Sequence, residues 1–237
     1  MILVDPDAQP LIGHRGTAGT HPENTIPSFD AALGMSVDAF ELDVHGAKDG
    51  VPVVIHDAML NRTTNATGPV SAMTSEQLGD VDAGAGAYVP TLGEVLERYP
   101  TTPMIVEIKD GAVTTAVLAL LRELGATDRV LLGAFDHPVL AAARTGEFHL
   151  SASRRETALV WAAARFGIAT GGAFHGFTVP EHQGALRVVD KKFMRAATRR
   201  GKPVHVWTVD SIEDASRLRA MGVAGIITNF PGAMQDI

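Results

Sequence analysis

The sequence predicts an α/β protein: a (β/α)8 TIM barrel with a small insertion after the second strand and a truncated last helix. Three observations lead there. Short apolar runs alternate with longer segments of helical period, which is the signature of βα units and a parallel sheet. The strand-like runs number about eight in 237 residues, close to the ~250 typical of such barrels. No GxGxxG or P-loop follows the first strand, which weakens the alternative of an open doubly wound sheet.

The elements follow in order. "PLIGH" reads as the first strand and "ENTIPSFDAALGMS" as a helix, with Phe29, Ala32 and Leu33 at helical spacing and Gly34 near its end. "AFELDVH" is the second strand, and "VPVVIHD" continues it or pairs beside it. Residues 58–90, rich in Thr, Ala, Gly and Asp, fit no βα unit and read as an insertion at the barrel mouth. "TLGEVLERYP" is a helix closed by Pro100, "PMIVEIKD" a strand, and "VTTAVLALLRELGA" a strongly amphipathic helix. The pairs "RVLLGAF" and "HPVLAAARTG", "EFHLSAS" and "ETALVWAAARFG", and a weaker strand "GAFHGFTV" with helix "DKKFMRAATRRG" continue the alternation. "PVHVWTV", "SIEDASRLRAMG" and "AGIITN" complete it; only "FPGAMQDI" follows, so an eighth helix is at most a stub. The whole chain, residues 1–237, reads as one domain.

Composition excludes several classes. With 20 Lys plus Arg against 27 Asp plus Glu, the formal charge is −7, which lacks the basic footprint of a nucleic-acid binder and the polybasic runs that hold proteins to anionic membranes. There is no cysteine, so disulfides, thiolate metal sites and cysteine nucleophiles are out. The first residues carry no basic stretch ahead of an apolar one, and no apolar run approaches the ~18 residues of a membrane span. A cytoplasmic protein acting on a small molecule is expected.

Strand parity locates candidate chemistry. In "FELDVH", Phe40, Leu42 and Val44 share one face, and Glu41, Asp43 and His45 the other. In a barrel, one face meets the helices and the other the axis, and strand C-terminal ends carry the active site. "MIVEIKD" repeats the pattern, with Glu107 and Lys109 opposite Val106 and Ile108. Glu41, Asp43 and Glu107 thus converge from two strands. All-oxygen ligation suits a hard divalent cation such as Mg²⁺ or Ca²⁺; a buried ion-pair network neutralised by Lys109 is the alternative. His14 ends the first strand and His56 the "VPVVIHD" run, so the two can share acid–base work or be structural. Arg15 and Lys109 would attract an anion, plausibly a phosphate, or pair with the acids. Trp207 would stack on substrate or fill the barrel. Asp57 would orient His56 or cap the next segment and is read in the structural role, His45 is read as a strand-end residue before a turn, and Arg154 and Arg155 as a solvated helix start.

Taken together, "HRG", "PENT", "ELDVHGAKDGVPVVIHD", "NRTTNATG", "PTLGEVL", "VEIK" and "VWTV" resemble the glycerophosphodiester phosphodiesterases, over nearly the whole chain from Leu11 to Pro231. The resemblance implies a TIM barrel with a small region inserted after the second strand, and divalent-metal-dependent cleavage of glycerophosphodiesters to glycerol 3-phosphate and an alcohol. It implies Glu41, Asp43 and Glu107 as metal ligands, His14 and His56 as the acid–base pair, and Arg15 and Lys109 as phosphate contacts. The chain departs from the family pattern at its end. Ala224 and Asn229 stand where acids are common, and the terminal helix is short; both bear on barrel closure and pocket shape rather than on the chemistry. A sugar-phosphate lyase or isomerase would want a lone Schiff-base Lys or carboxylate base, which Lys109 among acids fits poorly. A non-catalytic binding barrel would want these acids or histidines missing.

Overall fold

The computed structural model describes residues 1–234. Eight parallel strands run β6-β5-β4-β2-β1-β11-β10-β7: β1 Leu11–His14, β2 Ala39–Gly46, β4 Met104–Ile108, β5 Val130–Gly133, β6 His149–Leu150, β7 Phe177–Pro180, β10 Val204–Trp207 and β11 Gly225–Thr228. The two ends of this curled sheet meet. Ser151 bridges Gly176 in parallel, flanked by backbone bonds from His175 N to Leu150 O (2.7 Å) and from Ala152 N to Gly176 O (2.8 Å). A closed ring of parallel strands is the TIM barrel expected. Short β3 (Pro52–Val54) folds back antiparallel on β2, which settles the role of "VPVVIHD", and β8 (His182–Gln183) and β9 (Leu186–Arg187) form a separate hairpin.

The helices are α1 Ile26–Gly34, α2 Ser75–Gly79, α3 Leu92–Arg98, α4 Thr114–Glu123, α5 His137–Ala142, α6 Arg154–Arg165, α7 Lys191–Thr198 and α8 Ile212–Ala220. Their starts are written in the sequence. Thr91 with Glu94, and Ser153 with Glu156, form capping boxes that satisfy free N–H groups of the first turn. The first helix begins three residues later than its sequence pattern suggested. Asn24 is in the left-handed region at φ +59°, so residues 23–25 turn before Thr25 caps α1 by accepting from Ser28 N. The strand expected in "EFHLSAS" shrinks to His149–Leu150. After β11, a 3₁₀ turn at Pro231–Ala233 is all the helical structure among the described residues; the rest of the expected stub, residues 235–237, lies outside them.

Two layers of side chains fix the barrel. Phe40, Leu42, Val44, Val106 and Ile108 face outward into the helix layer, where Phe29, Phe40 and Tyr99 stack with ring centroids 5.1 to 6.1 Å apart. Ile12, Ala39, Ile105, Leu131 and Ile227 fill the interior, and Leu3, on a 3₁₀ turn at Ile2–Val4, packs with them. The outward/inward alternation is the one read from parity. Residues between β3 and α3 have a small core of their own around Val53, Ile55, Leu60, Val70 and Leu78.

Candidate active site

Strand register assembles the polar end of the barrel. On β2 and β4 the pairing is Asp43 opposite Glu107, and between β1 and β2 it is His14 opposite Glu41. His14, Arg15, Glu41, Asp43, His56, Glu107, Lys109 and Trp207 all line one cavity of about 150 Å³. Every residue singled out from the sequence is therefore brought to one place.

Glu41, Asp43 and Glu107 each offer a carboxylate oxygen within 4.8 Å of the others. Glu41 and Asp43 are almost wholly buried. Burial, with the charges of Asp43 and Glu107, pushes the Glu41 carboxyl well above the usual carboxylate range. Burial also raises Glu107, against the pull of Lys109. Asp43 goes the other way: burial pushes it up, but Lys109, Arg15 and a hydrogen bond from Asn24 Nδ2 (3.0 Å) outweigh that and hold it down. Lys109 Nζ lies 2.8 Å from Glu107 Oε1 and 3.0 Å from Asp43 Oδ1, and Arg15 Nε lies 3.1 Å from Asp43 Oδ2. The contacts to Asp43 are ion pairs without hydrogen-bond alignment, so Asp43 Oδ1 is buried with no aligned donor. Three carboxylates thus face two cations, and Asp43 Oδ1 is met by the Lys109 ammonium at 3.0 Å. The donor set and its unbalanced charge fit a hard divalent cation.

The two histidines are held differently. His14 Nδ1 is 2.7 Å from Asn229 Oδ1. Asn229 Nδ2 donates to Asp210 Oδ2 at 2.8 Å, so its amide oxygen must be the atom facing His14. That oxygen only accepts, so His14 carries its proton on Nδ1 and leaves a lone pair on Nε2, 3.8 Å from Glu41 Oε2. Burial lowers the His14 pKa, and Arg15 lowers it further, against the Asn229 bond. His56 instead places Nδ1 2.6 Å from the Asp57 carboxylate, which orients the ring. Arg62 Nε donates to the far oxygen of Asp57 at 2.6 Å and grips Glu23 through two further bonds, while Arg15 Nη1 donates to Glu23 at 2.8 Å. One chain of charges therefore links His56, Asp57, Arg62, Glu23, Arg15 and Asp43. His45 Nε2 donates to the His56 carbonyl at 3.0 Å, fixing the backbone of that loop.

Several residues here were missed or underrated by sequence reasoning. Asp57 contacts His56 at 2.6 Å, the alternative set below the structural role in the sequence. His45 supports the same histidine, and its inward parity was the available signal. Glu23 and Asn24 sit within the quoted "PENT" stretch but carried no chemistry on their own. Arg62 sits within the quoted "NRTTNATG" stretch but likewise carried no chemistry on its own, and Asp210 left no signal, because its partners Thr228 and Asn229 lie on a later strand and its end. Asn229, a departure from the family pattern, is the partner of His14. Trp207 stands at the end of β10 with its ring 6.2 Å from Phe135, whose face carries Lys109 Nζ at 5.2 Å.

The sequence profile of the glycerophosphoryl diester phosphodiesterase family matches residues 14–233. The chain belongs to that family. An enzyme of this class is thereby established. Similar curated proteins include the glycerophosphodiester phosphodiesterase of Caldanaerobacter subterraneus subsp. tengcongensis, 34% identical, covering 96% of each chain. Among solved structures, the glycerophosphodiester phosphodiesterase of Agrobacterium tumefaciens aligns at TM-score 0.80 and 26% identity, over 97% of this chain and 100% of that one. A phosphodiesterase of Oleispira antarctica, solved with its product sn-glycerol 3-phosphate, aligns at TM-score 0.80 and 23% identity, over 97% of this chain and 96% of that one. No helix among the described residues is long and apolar enough to cross a membrane.

Proposed function

We propose that this family member hydrolyses glycerophosphodiesters to glycerol 3-phosphate and an alcohol, using a divalent cation, Mg²⁺ or Ca²⁺, with His14 as general base and His56 as general acid. The observation that carries the reading is the trio of Glu41, Asp43 and Glu107, whose carboxylate oxygens lie within 4.8 Å of one another beside the two cations Arg15 and Lys109. These three carboxylates would hold the cation, which when bound polarises a non-bridging phosphate oxygen and offsets developing charge.

The chain's own residues do the rest. Arg15 and Lys109 flank the phosphate as fixed positive charges and stabilise the anionic transition state. His14, neutral and with its Nε2 lone pair free, takes a proton from the attacking oxygen. His56, backed by Asp57, gives a proton to the departing alcohol. Trp207 walls the substrate pocket. In this reading residues 1–237 form one catalytic domain in the cytoplasm, and residues 58–90 are an insertion at the mouth whose Arg62 braces the His56–Asp57 pair. The product held by the Oleispira antarctica phosphodiesterase, a structure of the same fold, is the one this reaction releases.

The test is release of glycerol 3-phosphate from glycerophosphocholine with and without chelator. Turnover that stops on exhaustive EDTA treatment and returns with Mg²⁺ or Ca²⁺ supports the reading. Full activity after chelation would leave the three acids as a structural network.

A further inference from the structure

Charge is unevenly placed along this chain. Residues 154–202 hold ten of its 20 Lys and Arg but three of its 27 Asp and Glu. The segment is therefore basic within a protein whose formal charge is −7. Its three acids are already engaged: Glu156 pairs with Arg144, Asp190 with Arg165, and Glu181 with Arg187 and Arg217. Six of its cations, Arg154, Arg155, Lys191, Lys192, Arg195 and Arg199, are exposed and have no ion pair or side-chain hydrogen bond among the described residues.

The fold gathers these charges. Helices α6 and α7 pack against one another on the outside of the barrel. α7 buries Phe193, Met194, Ala196 and Ala197 and turns Lys191, Lys192, Arg195 and Arg199, at helical spacing, to solvent. α6 buries Glu156 and Val160 and exposes a stripe that runs from Arg155 through Leu159 to Phe166 at its end. Gly167, at φ +69°, then turns the chain so that Ile168 N reaches back to Ala163 O at 3.0 Å. Arg200 of the loop after α7 holds the Thr170 carbonyl and hydroxyl, each at 3.0 Å, and ties this turn to its neighbour. Leu159, Phe166 and Ile168 are left 54%, 80% and 59% exposed beside the cations.

We propose that the α6–α7 face docks this enzyme, reversibly, on the surface of an anionic lipid bilayer. The combination of groups selects that partner. At a bilayer interface, large apolar side chains enter the acyl boundary while the flanking arginine and lysine heads stay among the phosphates. A nucleic acid or an acidic polypeptide would satisfy the cations but leave Phe166 and Ile168 in water. The negative charge of the whole protein does not oppose the contact. Screening limits the interaction to about 8 Å at physiological salt, so the bilayer responds to the face turned toward it and not to acids elsewhere on the molecule. The sequence holds no long basic run because the cations come from two helices, and only their packing brings them together. The contact is adsorption without insertion, since no helix among the described residues is long and apolar enough to span a bilayer.

Co-sedimentation is measured with vesicles of phosphatidylcholine alone and of phosphatidylcholine and phosphatidylglycerol in equal parts, at low and at physiological salt. This readout does not depend on the reaction proposed above. Binding is expected to the anionic vesicles only, and it should weaken as salt rises. Arg195→Gln/Arg199→Gln should reduce it about 20-fold, at about fivefold per cation. Arg98→Gln/Arg122→Gln removes the same charge from α3 and α4 and should leave it unchanged. Phe166→Ser should reduce it about tenfold while keeping its salt dependence. Glycerophosphocholine turnover in vesicle-free solution should be the same in all three variants, because none of these residues lines the catalytic pocket. Absence of binding to the anionic vesicles overturns the proposal, as does an equal loss in the two charge-matched pairs. Tighter binding to duplex DNA or polyglutamate than to the anionic vesicles, unaffected by Phe166→Ser, overturns it in favour of an acidic macromolecule.

Discussion

His14 Nδ1 lies 2.7 Å from Asn229 Oδ1, across 215 residues of sequence, and Asp210 holds that amide from behind at 2.8 Å. The bond fixes both the ring's orientation and its tautomer. Asn229→Ala should lower kcat about tenfold, short of the ~10²–10⁴ carried by a general base itself, with KM little changed. The decisive comparison is the double variant. If Asn229 acts through His14, the pair His14→Ala/Asn229→Ala is no slower than His14→Ala alone; additive losses would show an independent role.

The two histidines separate by leaving group. An alkoxide leaves poorly without a proton, whereas p-nitrophenolate needs none. His14→Ala and His56→Ala should each slow glycerophosphocholine hydrolysis by ~10²-fold or more. On bis(p-nitrophenyl) phosphate, His56→Ala should recover most of the wild-type rate and His14→Ala should not. Bound metal is quantified in both variants, because a lost cation mimics a lost base. Rescue of His14→Ala instead would reverse the assignment.

Lys109 sits between Glu107 and Asp43, and both partners are largely shielded from water. The two carboxylates raise its pKa even though burial pulls it down. Lys109→Met leaves their charge unpaired, so the metal-free variant should lose about 3–5 kcal/mol of stability. Mg²⁺ or Ca²⁺ should restore much of this loss by supplying the missing positive charge, while kcat/KM stays low because the phosphate clamp is gone. Thermal melts with and without metal read the first effect and kinetics the second. A melting temperature insensitive to both the substitution and the metal would contradict this account.

His205 gives a pH dependence remote from the catalytic groups. It is fully buried, with Nε2 2.8 Å from Leu3 O, and burial pulls its pKa down to about 4. The unfolded chain protonates first, near pH 6.5, so its contribution is fully present above that value and is lost as pH falls toward 4. At about 1.4 kcal/mol per unit, the loss across the window is about 3 kcal/mol. His205→Met should flatten stability between pH 6.5 and 4 relative to the wild type, read by urea unfolding at several pH values. Parallel pH profiles for the two proteins would show that His205 is not the titrating group.

Much of this enzyme was legible in its sequence, because strand parity is local. An alternation of two residues per repeat decides which side chains face the axis, so Glu41, Asp43 and Glu107 could be placed inside before any contact was known. Helix starts such as Thr91–Glu94 and Ser153–Glu156 were equally local, each set by groups three residues apart. The tertiary structure decided what depends on ring closure and register. Asn229 reaches His14 only because β11 pairs beside β1, with Gly13 opposite Thr228. Arg62 joins Asp57 to Glu23 only because the segment after β3 folds back over the barrel mouth. Hydrogen-bond partners such as these carry no period along the chain. Their identities, and with them the tautomer of His14 and the orientation of His56, follow from distances that exist only once the barrel has closed.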